Sequence, residues 1–277
     1  MSNIVFENGT HDIPIDIYHS SEGISRSVLM EFKKSPYHYQ QKYLIQSEPS
    51  QPTPAMILGN LIHTLTLEPS MFDDEFVIMP KFDRRTNVGK VGYHAFQATI
   101  SGRLAISEDD FTKAQNIAQA VRQHELGGSL LEDMDVERSL YFSHKPTGIQ
   151  CKVRPDAWSG SIVVDLKTTA DASFRPFQSS AFKYGYFLQA GMIAEALHSM
   201  GITMERFVFI AVEKEFPYAV GIFVLDNEAL LWGINHFNEL MYNYASCLEK
   251  DKWPSYPVQS LTLPRYANYD TNEIEID

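Results

Sequence analysis

Cysteine is scarce in this chain: Cys151 and Cys247 are the only two in 277 residues. Two thiols cannot build a disulfide framework, ligate an iron–sulfur cluster or fill a Cys₄ zinc site. Their scarcity favours a reducing, cytoplasmic setting. Long hydrophobic runs are missing as well. No apolar stretch approaches the roughly 20 residues that cross a bilayer, so no membrane association is expected. The opening residues, Met1-Ser2-Asn3-Ile4-Val5-Phe6-Glu7, lack the basic-then-apolar pattern of a secretory signal. Positive charge is in deficit too: 23 Lys and Arg against 35 Asp and Glu leave a net charge of −12. That argues against a protein that coats nucleic acid non-specifically. It leaves room for an enzyme with a local basic channel. Much of the acid lies in peripheral runs such as Asp73-Asp74-Glu75, Glu108-Asp109-Asp110 and the tail from Asp270 to Asp277.

What the chain does have is material for a sizeable core, with 44% hydrophobic and 12% aromatic residues. Ser25 stands at the N-cap of a short amphipathic helix through Lys34, with Val28, Leu29 and Phe32 as its apolar face. Ser35-Pro36 ends it, and a second helix begins at Tyr37. Residues 46–54 read as a Pro/Ser linker. Residues 55–69 are apolar nearly all round and predict a buried helix carrying His63. A strand is expected near 75–79, then an irregular basic stretch to 104 with Lys81, Arg84, Arg85 and Lys90, suited to a nucleic-acid backbone. A capped helix over 107–126 follows, stopped by Gly127-Gly128.

Strands are expected over 136–142, 149–158 and 161–167, one long helix over 174–199, strands over 206–212 and 218–225, and a helix over 228–248. That order predicts an α/β (α+β) fold, a mixed central β-sheet flanked by helices. A single domain is expected over 1–277: a mainly helical part with the basic loop (1–128), a sheet-bearing core (129–265) and an acidic tail (266–277).

The chemistry centres on Lys152-Val153-Arg154-Pro155-Asp156-Ala157-Trp158, a Ser159-Gly160-Ser161 turn, and Ile162-Val163-Val164-Asp165-Leu166-Lys167-Thr168-Thr169. This reads as two strands joined by a tight turn. Residues two apart on a strand share a face, so Asp165 and Lys167 point together and Leu166 points into apolar packing. Asp156 ends the preceding strand, close enough to Asp165 for the carboxylates to repel unless a positive group intervenes. A divalent, oxygen-seeking cation resolves that conflict, and Mg²⁺ favours one or two carboxylates plus water and phosphate. Lys167 stands beside the place where a water is activated, which is the chemistry of metal-dependent phosphodiester hydrolysis. His63 is a core imidazole or a metal ligand facing the Asp pair. Arg26, Ser27 and Ser35, near helix starts, suit a phosphate.

Pro155-Asp156…Asp165-x-Lys167 resembles the signature of the restriction-endonuclease-like PD-(D/E)xK nucleases. A longer set of residues is similar to the C-terminal nuclease domain of the RecE-type exonucleases, the exonuclease VIII group. It comprises Gly23 to Ser27, Ser35-Pro36 with Tyr39, Leu58-Gly59 with His63, Phe82 to Lys90, Arg154-Pro155-Asp156, Asp165 to Asp171, Trp253-Pro254, and Leu261 to Arg265. The resemblance implies a Mg²⁺-dependent exonuclease, with Mn²⁺ expected to substitute, degrading duplex DNA from 5′ ends to leave 3′ single-stranded overhangs. It implies double-stranded DNA ends as substrate, a RecT-type single-strand annealing protein as partner, and a ring-shaped homo-oligomer, a trimer or tetramer. Matched positions are His63, Asp156 and Asp165 as metal ligands with the Leu166 carbonyl. Lys167 matches the water-orienting lysine, Gln189 the glutamine of the next helix, and Glu137 an acidic strand residue near such sites. One departure is Ile193, where the family usually carries Tyr; Tyr184 and Tyr186 are the candidates to replace it. A metal-dependent endonuclease of the same fold and an inactive DNA-binding relative are the rival readings.

Overall fold

The computed structural model describes residues 4–45 and 52–263. The first part of the Pro/Ser linker, Pro264-Arg265 and the acidic tail lie outside the described residues. In chain order the strands are β1 (Gly9–His11), β2 (Phe76–Ile78), β3 (Leu104–Ile106), β4 (Asp135–Val136), β5 (Ser139–Ser143), β6 (Gln150–Val153), β7 (Ala157–Ser159), β8 (Ile162–Thr169), β9 (Arg206–Glu213) and β10 (Val220–Val224). The helices are α1 (Ile15–Ser20), α2 (Arg26–Lys34), α3 (Pro36–Tyr39), α4 (Pro54–Leu67), α5 (Phe72–Glu75), α6 (Asn87–Thr99), α7 (Glu108–Gln123), α8 (Glu125–Ser129), α9 (Phe174–Lys183), α10 (Tyr186–Ser199) and α11 (Asn227–Lys250).

Strand β8 organises the sheet. It pairs in parallel with β9 along its whole length, and antiparallel with β7 only over Ile162–Val164. The order is β10-β9-β8-β7-β4, with every other ladder antiparallel. A parallel neighbour needs a crossover, which α9 and α10 supply. Side-chain alternation sends Val163, Phe207, Phe209 and Ala211 to a face covered by α2, α9, α10 and α11. Val164, Leu166, Val208 and Ile210 go to the other face, under α4 and α7. Helix α4 is buried on one side only: Leu61, Ile62 and Thr66 are enclosed while Met56 stays 55% exposed. Helices α10 and α11 cross so closely that a Cβ on Gly191 would lie 2.3 Å from the Gly233 carbonyl carbon.

A second sheet, β1-β5-β6, abuts the first. Here the structure corrects the sequence expectation. Residues 136–142 are not one strand: β4 belongs to the five-stranded sheet and β5 to the three-stranded one. Glu137 takes a left-handed φ of 52°, which ends the ladder. Residues 149–158 divide likewise into β6 and β7 across Arg154-Pro155-Asp156, where Pro155 has no N–H to offer. The two breaks adjoin, and both strands change sheet at one corner.

Three helical expectations also change. The helix over 174–199 is two, parted at Gly185, whose φ is +71° and whose added Cβ would meet the Met30 sulfur at 2.5 Å. The basic stretch holds α6, capped by Thr86, whose hydroxyl accepts from the Gly89 N–H. Gly127-Gly128 lie inside α8; α7 ends earlier, at the extended backbone of His124. Among the described residues no helix is long and apolar enough to cross a membrane.

Candidate active site

The acidic side chains gather at the corner where the sheets part. Strand β7 begins at Ala157, leaving β8 beyond Val164 unpaired on that edge. Asp156 fills the place of the absent strand: its Oδ2 accepts from the Leu166 N–H at 2.7 Å. His63, from α4, brings Nδ1 to 3.6 Å from the same oxygen. Glu137 projects from the other break and is aimed by Arg154, whose Nε donates to Oε2 at 2.7 Å. Arg154 is itself fixed by the Ile13 carbonyl and the Ser139 hydroxyl. One ligand-type atom from each of His63, Glu137 and Asp156 lies within 4.8 Å of the others. Burial, and then the Asp156 charge, push the Glu137 carboxyl well above the usual carboxylate range, against the pull of His63 and Arg154.

Asp165 and Lys167 share a side of β8, as alternation predicts. Asp165 is fully buried. Its Oδ1 accepts from Gln189 Nε2 at 2.7 Å, and its Oδ2 pairs with the Lys167 ammonium. Burial raises the Asp165 carboxyl; Lys167 opposes the rise and Asp156 adds to it. Burial alone would lower Lys167, but Asp165 and Asp156 outweigh it and hold the ammonium above the ordinary lysine value. The Lys167 Nζ lies 5.1 Å from the Tyr186 ring centroid. Gln189 is locked from its far side by Arg26, whose Nη1 donates to Oε1 at 3.2 Å. A relay of Arg26, Gln189, Asp165 and Lys167 thus joins α2 to the central strand.

The residues expected as ligands stand as follows. His63 and Asp156 meet as expected. Glu137 joins them, while the Asp165 oxygens are taken by Gln189 and Lys167. Leu166 enters the site through its N–H. A cleft of about 870 Å³ opens beside these groups, lined by Arg26, Ser27, Glu137, Arg154, Lys167 and Gln189. Ser35 is elsewhere: buried at the N-cap of α3, its hydroxyl accepts from the His38 N–H. Arg84, Arg85 and Lys90 form a separate exposed arm. There Arg84 lies over the Tyr93 ring at 4.3 Å and Arg85 pairs with Asp83 at 2.9 Å. Ile193 is buried in the core, and Tyr186 supplies the aromatic ring at the site.

Sequence reasoning gave Arg154 no role beyond its place in the Arg-Pro-Asp motif, and left Tyr186 as one of two aromatic candidates. Arg154 stands two residues from Asp156 across Pro155, and Tyr186 stands three before Gln189, one helical turn away. An imidazole and two carboxylates converging within 4.8 Å, one carboxyl forced upward by burial and then by the other's charge, fit a divalent cation.

A mixed sheet with helices on both faces and Pro-Asp…Asp-x-Lys at its centre defines a PDDEXK-like nuclease fold. A family model described as a PDDEXK-like domain of unknown function (DUF3799) matches residues 25–260, and the chain belongs to this family. Among solved structures it is similar in fold to a protein from Eubacterium rectale assigned as an exonuclease, with a TM-score of 0.63 and 14% identity over 87% of this chain and 88% of that one. A phage-related exonuclease from Haemophilus somnus aligns at 14% identity over 69% of this chain and 94% of that one, with a TM-score of 0.34. No curated protein matches the sequence.

Proposed function

We propose that this protein is a Mg²⁺-dependent 5′-to-3′ exonuclease of double-stranded DNA, leaving 3′ single-stranded overhangs for phage-type homologous recombination. The observation that carries the reading is the convergence of His63, Glu137 and Asp156 beside the Asp165–Lys167 pair, next to a cleft lined by Arg26, Arg154 and Lys167. Membership of the PDDEXK-like family supports it. The resemblance to the RecE-type enzymes supports the polarity, a RecT-type annealing partner and a ring-shaped homo-oligomer.

Phosphodiester hydrolysis builds negative charge on the phosphoryl oxygens and on the leaving 3′ oxygen. His63, Glu137 and Asp156, with Asp165 alongside, would hold a divalent cation, which would supply charge neutralisation and a lowered pKa for water there. Lys167, kept protonated by Asp165 and Asp156, donates a hydrogen bond that orients the attacking water. Gln189 holds Asp165, so that the acid keeps its lysine in register. Tyr186 gives the ammonium an aromatic floor and restricts its movement. Arg26 and Ser27 bind a phosphate in the cleft. Arg84, Arg85 and Lys90 track the duplex backbone.

Linear duplex DNA labelled at a single 5′ or a single 3′ end tests this directly. Early release of the 5′ label, only with Mg²⁺ or Mn²⁺, is expected. Early release of the 3′ label overturns the polarity, and cutting of covalently closed circles turns the reading to an endonuclease.

A further inference from the structure

Residues 4–24 precede the stretch that the family model matches, yet they wall the active-site cleft. Ile15, Tyr18, His19, Ser21 and Glu22 line it together with Lys167 and Gln189. The segment is tied down along its length. Strand β1 adds a third strand to β5, Arg138 pairs with Asp12, and Arg154 donates to the Ile13 carbonyl at 2.9 Å. The Ser21 and Tyr141 hydroxyls share a 2.7 Å bond.

Lys152 is the innermost tie. It stands on β6, only 5% exposed. Its ammonium donates to the Tyr18 and Ser21 carbonyls at 2.6 Å each, to the Ser21 hydroxyl at 3.3 Å and to the His19 carbonyl at 3.5 Å. Among the described residues its side-chain hydrogen bonds all go to residues 18–21. An ammonium has three donors, and a buried one without acceptors is strongly destabilising. A charge inside the matched region is thus satisfied by a segment outside it, so the two form one unit.

We infer that residues 4–24, anchored by Lys152, are an end-stop: they close one side of the cleft and admit a strand with a free terminus while refusing one that must run through. The inference rests on the nuclease reading. A strand running past needs an exit, and on this side stands backbone tied at several points, which does not swing aside as a lone side chain does. Arg26, two residues beyond Ile24, offers its cation on the inner side, so the wall favours a strand that stops there.

The test uses the full-length chain. Lys152→Met keeps the apolar stem and removes the tie. Limited proteolysis reads whether residues 12–24 come loose; in parallel, cleavage of covalently closed circular duplex DNA is compared with cleavage of the same DNA linearised. In the variant, proteolysis within the segment is expected to quicken about tenfold. The circle-to-linear ratio is expected to rise about tenfold through loss of discrimination. A loosened segment with an unchanged ratio overturns the end-stop. A segment as resistant as in the wild type overturns Lys152 as its anchor. Should Lys152→Met not fold, Ile15→Gly with His19→Gly opens the same wall at exposed residues, and the ratio decides alone. Failure of the nuclease reading looks different: the wild type then cuts neither DNA with Mg²⁺, and the end-stop falls with it.

Discussion

The Glu137 N–H donates to the Asp156 carbonyl at 3.1 Å, and this bond joins the two strand breaks from which the acids of the site project. Both carboxylates are therefore aimed by backbone that has left one sheet and not yet settled in another. The spacing of the His63–Glu137–Asp156 cluster is a property of that corner more than of any side-chain rotamer.

Charge removal at the corner gives the first prediction. Glu137→Gln and Asp156→Asn keep shape and most hydrogen bonding. Each should weaken Mg²⁺ binding in calorimetric titration. Arg154→Met, which frees Glu137 from its guide, should cost about 10–100-fold in metal affinity or activity. Unchanged Mg²⁺ affinity in both acid variants would remove this cluster as the metal site.

Lys167→Met separates positioning from binding. Cleavage should fall about 10²–10⁴-fold while Mg²⁺ affinity stays near that of the wild type. The fold should survive, because the buried Asp165 carboxyl is already pushed upward and takes a proton when its partner goes. Circular dichroism and residual cleavage together check both halves.

Stability of the metal-free protein should fall as pH rises. Glu137 and Asp165 both have folded-state pKa values above their ordinary ones. The folded chain therefore holds more protons than the unfolded chain between the ordinary carboxylate range and the raised values, so unfolding becomes easier as pH climbs through that window. Melting temperatures in EDTA should be lower at about pH 8 than at about pH 5 on account of these groups. Saturating Mg²⁺ should reverse the order, since the cation binds the deprotonated acids. A Glu137→Gln chain should show a smaller slope in EDTA.

Gly191→Ala tests the helix crossing beneath Gln189. The added Cβ meets Gly233 backbone, which cannot move without parting α10 from α11. The expected cost is about 1–3 kcal/mol in denaturant unfolding, with reduced cleavage because Gln189 stands two residues away.

The strands of the centre were legible because β8, β9 and β10 are short apolar runs rich in β-branched and aromatic residues, the local mark of buried strands. The shared face of Asp165 and Lys167 followed from the two-residue period of β8, whereas the meeting of His63 with Asp156 was left open by the residues and expected only from the family resemblance. The breaks at Glu137 and Pro155 were not, since both flanks of each break are good β-formers and only the second sheet explains why the chain turns. Helix α6 was hidden by Gly89 and Gly92, which read as loop residues. They are glycine because the Asp83 carbonyl and the Phe82 ring press against the helix, at 2.0 Å and 3.1 Å from where a Cβ would sit. Glu137 as a partner of His63, and Arg26 as a partner of Gln189, depend on residues far apart in sequence and had no local signal.

Strand β8 finds its parallel neighbour in β9, with Ile162 beside Arg206, 44 positions later in the chain (206 − 162). A ribosome that has just released Lys167 has yet to make Gln189, β9 and α11. At that point the chain carries the acids and the lysine without β9, α10 and α11, which complete their burial, and so without the field that tunes them. The tuned site would exist only once α10, β9 and α11 have followed β8 out of the ribosome and closed over it.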